Sequence, residues 1–469
     1  MNVVLPRGAL LAPKLVAAKA VGTLARRAGR GGGTSLPGKV LTRLEPHAIG
    51  LLAGRLKHGS VVISATNGKT TTAAMVAAVL ERTGARLVHN RAGANMAGGV
   101  ASALAAASRR GGRELSGDLG LFEVDEFWLG PVSEELQPRA MLLANLFRDQ
   151  LDRYGELETI ADRWAAVVAA RRGRTRLVLN ADDPLVADLG RHDPEALYFG
   201  VEDRALTHTE LQHASDSKHC RRCGAAYVYE AVYLAHLGRY HCPNCGARRP
   251  EPAIFAEAIE LRGIRTAAFT LRMGAAGSAR VELPLPGLYN VYNALAAAAL
   301  CHALDVPLEQ IVAGIEAVEP AFGRAETLVL EGRLTSLLLV KNPAGANEVL
   351  RTLALEAEAQ GALDLLGILN DRIADGRDVS WVWDADWEVL AGHVRRMTCS
   401  GTRAAELALR MKYAGVPPDR LRVVGNPAAA LDAALADGRG PLYALPTYTA
   451  LLDLRELLAA RGQAREYWR

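Results

Sequence analysis

Hydrophobic and polar positions along this chain follow two alternating periods, and the alternation predicts an α/β fold. Short apolar runs predict strands at residues 60–64, 119–124, 140–145 and 177–180. Longer stretches with helical spacing separate several of these runs, and one of them predicts a helix over residues 70–82. Strands that alternate with helices indicate a mainly parallel sheet.

The pattern divides the chain into parts. A segment at about residues 214–250 interrupts the alternation, and an alanine-rich helix is predicted at residues 293–304. A second series of strands follows, predicted at residues 335–340, 364–369 and 420–424. We therefore predict a basic N-terminal segment (1–45), a central α/β domain with an insertion (46–318) and a smaller doubly wound α/β domain (319–469).

Composition and charge exclude several classes of protein. The net charge of +4 is small for 469 residues and gives no general case for binding nucleic acid. No uninterrupted apolar run approaches the ~20 residues that span a bilayer, and lysine and arginine interrupt the apolar stretches of the N-terminal segment. We expect a cytoplasmic protein. The basic segment indicates an ordinary helix and a glycine-rich loop, and attraction to an anionic membrane surface is the alternative.

A phosphate-binding loop is predicted between the first strand and the following helix. Backbone N–H groups at a helix N-terminus point at anions, Lys69 can reach the β- and γ-phosphates, and the Thr70 hydroxyl can bind Mg²⁺. The general pattern has glycine where this chain has Ile63, so the loop is a variant, and a corner without a ligand is the alternative. The nucleotide-binding residues predicted here are Thr66, Asn67, Gly68, Lys69, Thr70 and Thr71.

A second magnesium ligand is predicted at a strand end. Magnesium prefers hard oxygen ligands, and ligands bind at the carboxyl ends of parallel strands. Glu123 ends the second predicted strand and is the best candidate. The neighbouring Asp125 and Glu126 fit a solvated turn equally well.

Four of the six cysteines predict a structural zinc site. Cys220 and Cys223 form one pair, Cys242 and Cys245 form the other, and 18 residues separate the pairs. This is the spacing of a zinc ribbon, in which four thiolates surround the metal and leave no position for substrate. The nearby histidines are interpreted as flanking residues. A ribbon that binds nucleic acid is the weaker interpretation, because no basic and aromatic surface accompanies it.

Four motifs resemble the Mur ligases. They are the phosphate loop, the strand-end glutamate, and the runs at residues 287–293 and 322–326, and they occur in the order of that family. The resemblance implies an ATP-dependent ligase that activates a carboxylate as an acyl phosphate. It also implies that Asn290 and Asn293 hold the adenine and that Arg324 contacts the nucleotide.

Three further runs, at residues 145–156, 341–345 and 369–381, are similar to the MurT branch of that family, which carries a four-cysteine zinc insertion. Two departures stand out. Ala65 occupies a position where Mur ligases usually have glycine, and the chain has no lysine from Thr70 through Ser217. The carbamylated lysine that binds a second magnesium ion in many Mur ligases therefore has no counterpart.

The resemblance implies a reaction on lipid II at the inner face of the membrane, in peptidoglycan synthesis. The α-carboxylate of D-glutamate in the stem peptide is expected to attack the γ-phosphate of ATP, with charge stabilised by Lys69 and Mg²⁺. Ammonia then captures the acyl phosphate and gives D-isoglutamine.

We expect a second protein to supply the ammonia for this reaction. Glutamine hydrolysis normally uses a cysteine nucleophile with a histidine base. Four cysteines are assigned to zinc, Cys301 lies in an alanine-rich helix, and Cys399 has no evident partner. A separate glutaminase is therefore implied, and the resemblance identifies it as a GatD-type subunit in a heterodimer or larger assembly.

The second domain supplies further candidates. The resemblance implies that one acid of the stretch Asp371, Asp375 and Asp378 orients the histidine of the glutaminase. Solvated loop acids or substrate contacts are the alternatives for at least two of them. Lys341 and Asn342 follow the first predicted strand of the domain and are assigned to substrate or acyl phosphate.

Two other functions stay open at this point. A ligase that adds a whole amino acid, like other Mur ligases or folylpolyglutamate synthase, would need no glutaminase. A P-loop ATPase whose zinc ribbon binds nucleic acid or a protein is the second alternative, and the motifs of the second domain weigh against it.

Overall fold

The computed structural model of the chain describes residues 11–27, 35–90, 94–149, 157–207, 211, 215–318, 324–438 and 440–463. Within these residues the chain forms a nine-stranded sheet followed along the sequence by a six-stranded sheet, together with two small two-stranded sheets, β3-β4 and β9-β10. Residues 150–156 and 322–323, which carry parts of two of the motifs, lie outside the described residues.

The first domain is built on a nine-stranded sheet within the described part of the chain, with the order β13-β12-β11-β8-β7-β6-β1-β5-β2. Neighbouring strands are parallel from β2 to β11, and β12 and β13 add antiparallel strands at one edge. The strands of this domain are β1 (Ser60–Ser64), β2 (Leu87–His89), β3 (Ser108–Arg109), β4 (Glu114–Leu115), β5 (Leu119–Glu123), β6 (Ala140–Leu143), β7 (Arg176–Asn180), β8 (Leu197–Val201), β9 (Val228–Leu234), β10 (Leu237–His241), β11 (Ile254–Arg262), β12 (Thr266–Arg272) and β13 (Ser278–Leu283).

Helices bury both faces of this sheet. Successive residues of β1 point to opposite faces, so Val61 and Ile63 belong to one hydrophobic cluster and Val62 to another. The helices are α1 (Leu11–Arg27), α2 (Leu36–Leu44), α3 (Ala48–Ala53), α4 (Lys69–Arg82), α5 (Ala97–Ala107), α6 (Leu129–Leu136), α7 (Leu157–Arg171), α8 (Pro184–Leu189), α9 (Leu288–Ala303) and α10 (Leu308–Glu316). Short 3₁₀ turns lie at Arg110–Gly112, Arg204–Leu206 and Gly274–Ala276.

The second domain has a six-stranded sheet among its described residues, with the order β14-β15-β19-β16-β17-β18. Neighbouring strands are parallel, except that β14 pairs with β15 in antiparallel orientation. The strands are β14 (Arg324–Leu330), β15 (Arg333–Leu338), β16 (Leu363–Ile368), β17 (Val394–Ser400), β18 (Leu421–Val423) and β19 (Leu442–Pro446). The helices are α11 (Pro343–Gln360), α12 (Trp381–Asp384), α13 (Ala404–Tyr413), α14 (Pro427–Ala436) and α15 (Tyr448–Ala460), with 3₁₀ helices at Trp387–His393 and Pro418–Arg420.

The predicted α/β class, with a parallel-rich sheet and a second α/β domain, is confirmed by these topologies. The predicted bounds of the three parts remain predictions. Helix α9 begins earlier than the alanine pattern indicated, at Leu288. Its first turns hold Tyr289, Asn290, Val291 and Tyr292, residue types with weak helix propensity, and here burial in the core overrides that preference.

The basic N-terminal helix packs against the first domain. Leu11, Leu15 and Ala18 are buried in one of its hydrophobic clusters. Lys14 pairs with Glu45 at 2.9 Å, and Lys19 donates to a backbone carbonyl at 2.8 Å. This contact fits the ordinary interpretation of the segment, and its attraction to a membrane surface stays a prediction.

No helix in the described ranges has both the length and the apolar character needed to cross a bilayer.

Candidate active site

The phosphate loop connects β1 to α4 and lies directly under α9. Gly68 has φ +85°, and a Cβ placed there would meet Asn293 Oδ1 at 1.9 Å. Only glycine permits this approach of the loop to α9. The Thr72 hydroxyl donates to the same oxygen at 3.3 Å, so the loop and α9 are held together.

The charged groups of the loop are buried and paired. Lys69 Nζ lies 2.9 Å from Glu126 Oε2, and it also donates to the carbonyl oxygen of Ala65. The Thr70 hydroxyl donates to Glu123 Oε2 at 2.9 Å. Glu126 is 8% exposed and Asp125 is 5% exposed, so the prediction of a solvated turn at these two acids is wrong. The sequence signal for this burial was the position of both acids directly after an apolar run, and the structure shows that run as β5, buried along its whole length.

Magnesium fits the two residues predicted to hold it. Glu123 is 1% exposed, and its Oε1 makes no hydrogen bond within the described part of the chain, although His89 Nε2 lies 3.7 Å from it. A buried carboxylate oxygen without a donor is costly unless it binds a cation. The Thr70 hydroxyl beside it is a second hard oxygen ligand.

Asn145 clamps the loop in a way that the sequence did not predict. Its side-chain oxygen accepts from the Asn67 amide at 2.9 Å, and its Nδ2 donates to the Asn67 carbonyl at 3.0 Å. The next residues reinforce this contact, because the Phe147 amide donates to Thr66 Oγ1 at 3.1 Å. Asn145 follows β6, the strand that pairs with β1 in the sheet. The signal that the sequence offered was the position of Asn145 at the end of a predicted strand.

The second domain reaches the loop through Lys341 and Asn342. Asn342 Nδ2 donates to Asn67 Oδ1 at 3.0 Å, while its own Oδ1 caps the N-terminus of α11. Lys341 pairs with Asp149 and lies 3.5 Å from the Thr66 carbonyl. Both predicted residues therefore lie at the cleft between the domains.

The predicted adenine residues line the same cleft, next to the phosphate loop. Asn293 Nδ2 donates to Asn290 Oδ1 at 3.1 Å, and Asn290 Nδ2 donates to the Pro286 carbonyl at 2.7 Å. The cleft has a volume of about 340 Å³, which is the size of a small-ligand site. The phosphate loop, Thr71 included, lines it together with both asparagines and Lys341. Arg324 begins β14, and its side chain lies outside the described residues.

The three predicted acids of the second domain, Asp371, Asp375 and Asp378, differ in burial and in hydrogen-bond partners. Asp375 is buried, its carboxylate accepts from the amide and the hydroxyl of Thr449, and burial raises its pKa. Hydrogen bonds from Thr402 and Arg403 lower the pKa of Asp371. The backbone amide of Ser380 lowers the pKa of Asp378 in the same way. Asp378 and Asp375 border a small cavity of about 60 Å³ that Lys341 and Asn342 also line.

The four predicted zinc ligands converge. Their sulfur atoms all lie within 4.8 Å of one another, with Cys220 to Cys245 at 3.5 Å and Cys223 to Cys242 at 3.4 Å. A tetrahedral zinc ion with Zn–S bonds of about 2.3 Å places its sulfur atoms about 3.8 Å apart, so the cluster fits zinc. His241 pairs instead with Glu230 at 3.0 Å.

The two remaining cysteines are completely buried. Cys301 and Cys399 are 0% exposed. Burial raises the pKa of Cys399 to about 12 and that of Cys301 further still, which keeps both thiols protonated. Neither suits a nucleophile for glutamine hydrolysis.

Comparisons with known proteins agree with this geometry. The Mur ligase middle domain model matches residues 63–247, and the MurT ligase C-terminal model matches residues 339–451. The chain is 32% identical over 440 residues to the lipid II isoglutaminyl synthase (glutamine-hydrolysing) subunit MurT of Streptococcus pneumoniae. The aligned region covers 93% of this chain and 94% of that protein. The MurT subunit of Staphylococcus aureus is 32% identical over 439 residues, with coverage of 93% and 95%.

Solved structures of related ligases share the fold. A pseudomurein peptide ligase type C from Methanothermus fervidus aligns with a TM-score of 0.66 and 22% identity, covering 88% of this chain and 80% of that chain. MurF from Acinetobacter baumannii aligns with a TM-score of 0.63 and 19% identity, covering 90% and 80%. At these identities the likeness concerns the fold alone.

Proposed function

This chain belongs to the MurT family of the Mur ligases, and from that membership we propose that it amidates lipid II in peptidoglycan synthesis. The substrate group is the α-carboxylate of D-glutamate in the stem peptide, and the product is D-isoglutamine. One observation carries the proposal: residues of both domains converge on one phosphate loop, with Asn342 bonded to Asn67 across the cleft. A ligase needs this convergence, because ATP and the carboxylate must meet.

The first step is phosphoryl transfer. A carboxylate oxygen of the substrate forms a bond to the γ-phosphorus of ATP, the bond to the β-phosphate oxygen breaks, and ADP leaves. Lys69 exchanges Glu126 for the transferring phosphate, and the N–H groups at the start of α4 face the same charge. Thr70 and Glu123 would hold Mg²⁺, which supplies positive charge beside the phosphates.

The second step is attack by ammonia. The nitrogen bonds to the carbonyl carbon of the acyl phosphate, the bond from that carbon to the phosphate oxygen breaks, and the leaving phosphate takes up the proton that the nitrogen loses. Lys341 and Asn342 are positioned at the phosphate loop, and we assign them to the carboxylate and its acyl phosphate. Asn290 and Asn293 hold the adenine, and Arg324 is assigned to the nucleotide.

A glutaminase of the GatD type supplies the ammonia. At neutral pH free ammonia is mostly ammonium, and the buried thiols of Cys301 and Cys399 cannot serve as nucleophiles. We assign to Asp378 the role of orienting the histidine of the partner glutaminase, because its side chain is exposed. The Asp375 carboxylate is instead buried and accepts a hydrogen bond from Thr449. Asp371 is paired with Arg403 at 3.1 Å.

The cysteine cluster holds a structural zinc ion, and the insertion is a zinc ribbon. The cluster's own hydrophobic core is very small, consisting of Cys220, Cys242 and Ala247. A segment with so little core depends on metal binding for its fold. We place the protein in the cytoplasm, at the inner face of the membrane where lipid II is presented.

The source of nitrogen provides the test. The full complex with its glutaminase is assayed for lipid II amidation with glutamine and, separately, with ammonium chloride. Asp378→Asn should remove glutamine-dependent amidation and leave ammonia-dependent amidation intact, whereas Lys69→Ala should remove both. Asp371→Asn serves as the matched control and should retain both. Addition of a whole amino acid without a glutaminase would instead support an amino-acid-adding ligase.

A further inference from the structure

The hairpin of the cysteine-rich insertion turns into the protein rather than into solvent. Strands β9 and β10 are joined at residues 234–237, where Leu234 is 4% exposed, His236 is 0% and Leu237 is 2%. Leu234 and Leu237 line the same cleft as the phosphate loop and Asn293. The insertion that carries the cysteines therefore forms one wall of the nucleotide cleft.

A buried polar network joins the insertion to the adenine side of the cleft. Asp182, 0% exposed, accepts from Arg249 Nε at 2.6 Å and from the Tyr292 hydroxyl at 2.7 Å. Arg249 follows the second cysteine pair, and Tyr292 lies on α9 beside Asn293. A buried carboxylate requires such partners, and their loss is costly. The position of α9 is thus tied to the position of Arg249.

A second set of contacts joins the hairpin to the phosphate side. His236 Nε2 lies 3.4 Å from Asp183 Oδ2, and its ring packs on Phe147 with centroids 4.9 Å apart. Asp183 Oδ2 also accepts from the Leu146 amide at 2.8 Å. Leu146 and Phe147 directly follow Asn145, the residue that clamps the phosphate loop. The insertion therefore contacts both α9 and the segment that holds the phosphate loop.

We propose that the zinc ribbon positions the nucleotide site, and that zinc occupancy sets the affinity of the chain for ATP. Arg249 and Asp182 act as positioning residues that hold α9 and its two asparagines in place. The inference rests on the proposed zinc and ATP sites. The hairpin is packed in the hydrophobic core of the first domain, whereas the cysteine cluster has very little core of its own. Loss of zinc therefore frees the segment that runs from Cys242 to Arg249.

The first experiment removes one hydrogen bond of the network. Tyr292→Phe and Tyr198→Phe are compared in the full complex, since each loses only a hydroxyl and Tyr198, on β8 outside the insertion, donates to the Ala187 carbonyl at 3.1 Å. Calorimetric titration with a non-hydrolysable ATP analogue should show roughly three- to tenfold weaker binding for Tyr292→Phe and unchanged binding for Tyr198→Phe. The KM for ATP should rise by the same factor, while kcat and the KM for lipid II stay near wild type. Equal affinities in the two variants would overturn the role of Asp182.

The second experiment removes the metal. Zinc is measured by atomic absorption before and after chelation, and Cys245→Ser provides a zinc-deficient form if chelation fails. Nucleotide affinity should fall by about tenfold or more with the loss of zinc and should return on adding zinc back to the chelated wild type. A zinc-free complex that binds the analogue as tightly as before, or a purified complex without zinc, contradicts the proposal. These readouts do not depend on which product the enzyme forms, so failure of the amidation assay would be recognised separately.

Discussion

At the scale of single residues, the charged groups of the phosphate site are paired with one another. Lys69 is neutralised by Glu126 at 2.9 Å, and Glu123 is oriented by the Thr70 hydroxyl. These pairs satisfy charges that are buried, and the phosphate replaces Glu126 as the partner of Lys69 during the reaction. The other oxygen of Glu123 makes no hydrogen bond and lies 3.7 Å from His89 Nε2, so a cation that binds there depends on the negative charge of Glu123.

Glu123→Gln should therefore lower kcat by about 10²-fold while the protein stays folded. The amide keeps the size of the side chain but removes the negative charge that attracts Mg²⁺. The measurement is ADP release in the full complex as a function of Mg²⁺ concentration, where half-saturation should move to higher Mg²⁺. A variant with an unchanged Mg²⁺ requirement would remove Glu123 from the metal site.

Glu348 makes the stability of the second domain dependent on pH. It is buried on α11 at the edge of the cleft, and burial raises its pKa to about 7 from an ordinary value of 4.5. Between these values the folded state holds a proton that the unfolded state has released. The stability that the protonated Glu348 carboxyl contributes is therefore fully present below pH 4.5, and this contribution is lost as the pH rises through about 7.

Glu348→Gln should abolish this dependence and stabilise the protein by about 1–3 kcal/mol above pH 7, with little gain below pH 4.5. Urea unfolding across this pH window measures the effect. Glu358→Gln, at an exposed position of the same helix, is the control and should leave the profile unchanged. A stabilisation by Glu348→Gln that is the same at every pH would contradict the account.

Much of the site could be predicted from residue types in sequence order. The phosphate loop, Glu123 and the cysteine pairs carry their chemistry in short motifs, and the structure brings each group together. The roles of Asn145 and Glu126 could not be predicted, because they depend on which strands are neighbours and which side chains are buried. Those are long-range properties that local pattern does not contain.

At the scale of secondary structure elements, the packing of α9 over the phosphate loop is the defining contact. The alanines of α9 are almost completely buried, which lets the helix approach its neighbours closely. Apolar runs in the sequence predicted four of the nine described strands of the first sheet, namely β1, β5, β6 and β7, since buried strands are apolar along their length. The sequence pattern placed the start of α9 too late, because the residues around Asn290 are stabilised as a helix by burial rather than by propensity.

Gly68→Ala tests this contact against Gly173→Ala. Both glycines have positive φ, +85° and +70°, so each substitution should cost about 1 kcal/mol of stability from backbone strain. Only the Cβ at position 68 meets Asn293, while nothing lies within 4 Å at position 173. Nucleotide affinity should therefore fall more than about tenfold in Gly68→Ala alone. Thermal unfolding and calorimetric titration separate the two effects, and equal nucleotide affinities would show that α9 does not confine the loop.

At the scale of the whole molecule, two domains share one cleft, and the second domain contributes through Lys341 and Asn342. The pairing of Lys341 with Asp149 joins the domains at the phosphate end of this cleft. Binding of the nucleotide uses mainly the first domain, whereas transfer to the carboxylate requires both. Substitution of Lys341 should therefore separate binding from chemistry.

Lys341→Met should leave the affinity for an ATP analogue within about threefold of wild type and lower acyl phosphate formation by about 10²-fold. Trapping the acyl phosphate with hydroxylamine in the full complex measures the second quantity. Lys412→Met, at an exposed position of α13, is the matched control. Loss of nucleotide binding with normal trapping per bound nucleotide would place Lys341 in the ATP site instead.

The central claim is amidation of lipid II by this chain with a partner glutaminase. The most direct measurement incubates the complex with ATP, lipid II and glutamine labelled with ¹⁵N in its amide, and analyses the lipid product by mass spectrometry. The account predicts a product in which one hydroxyl is replaced by a labelled amino group, with one ADP formed per product and none in the Lys69→Ala complex. A product enlarged by a whole amino acid, or unchanged lipid II beside an active glutaminase, would contradict it.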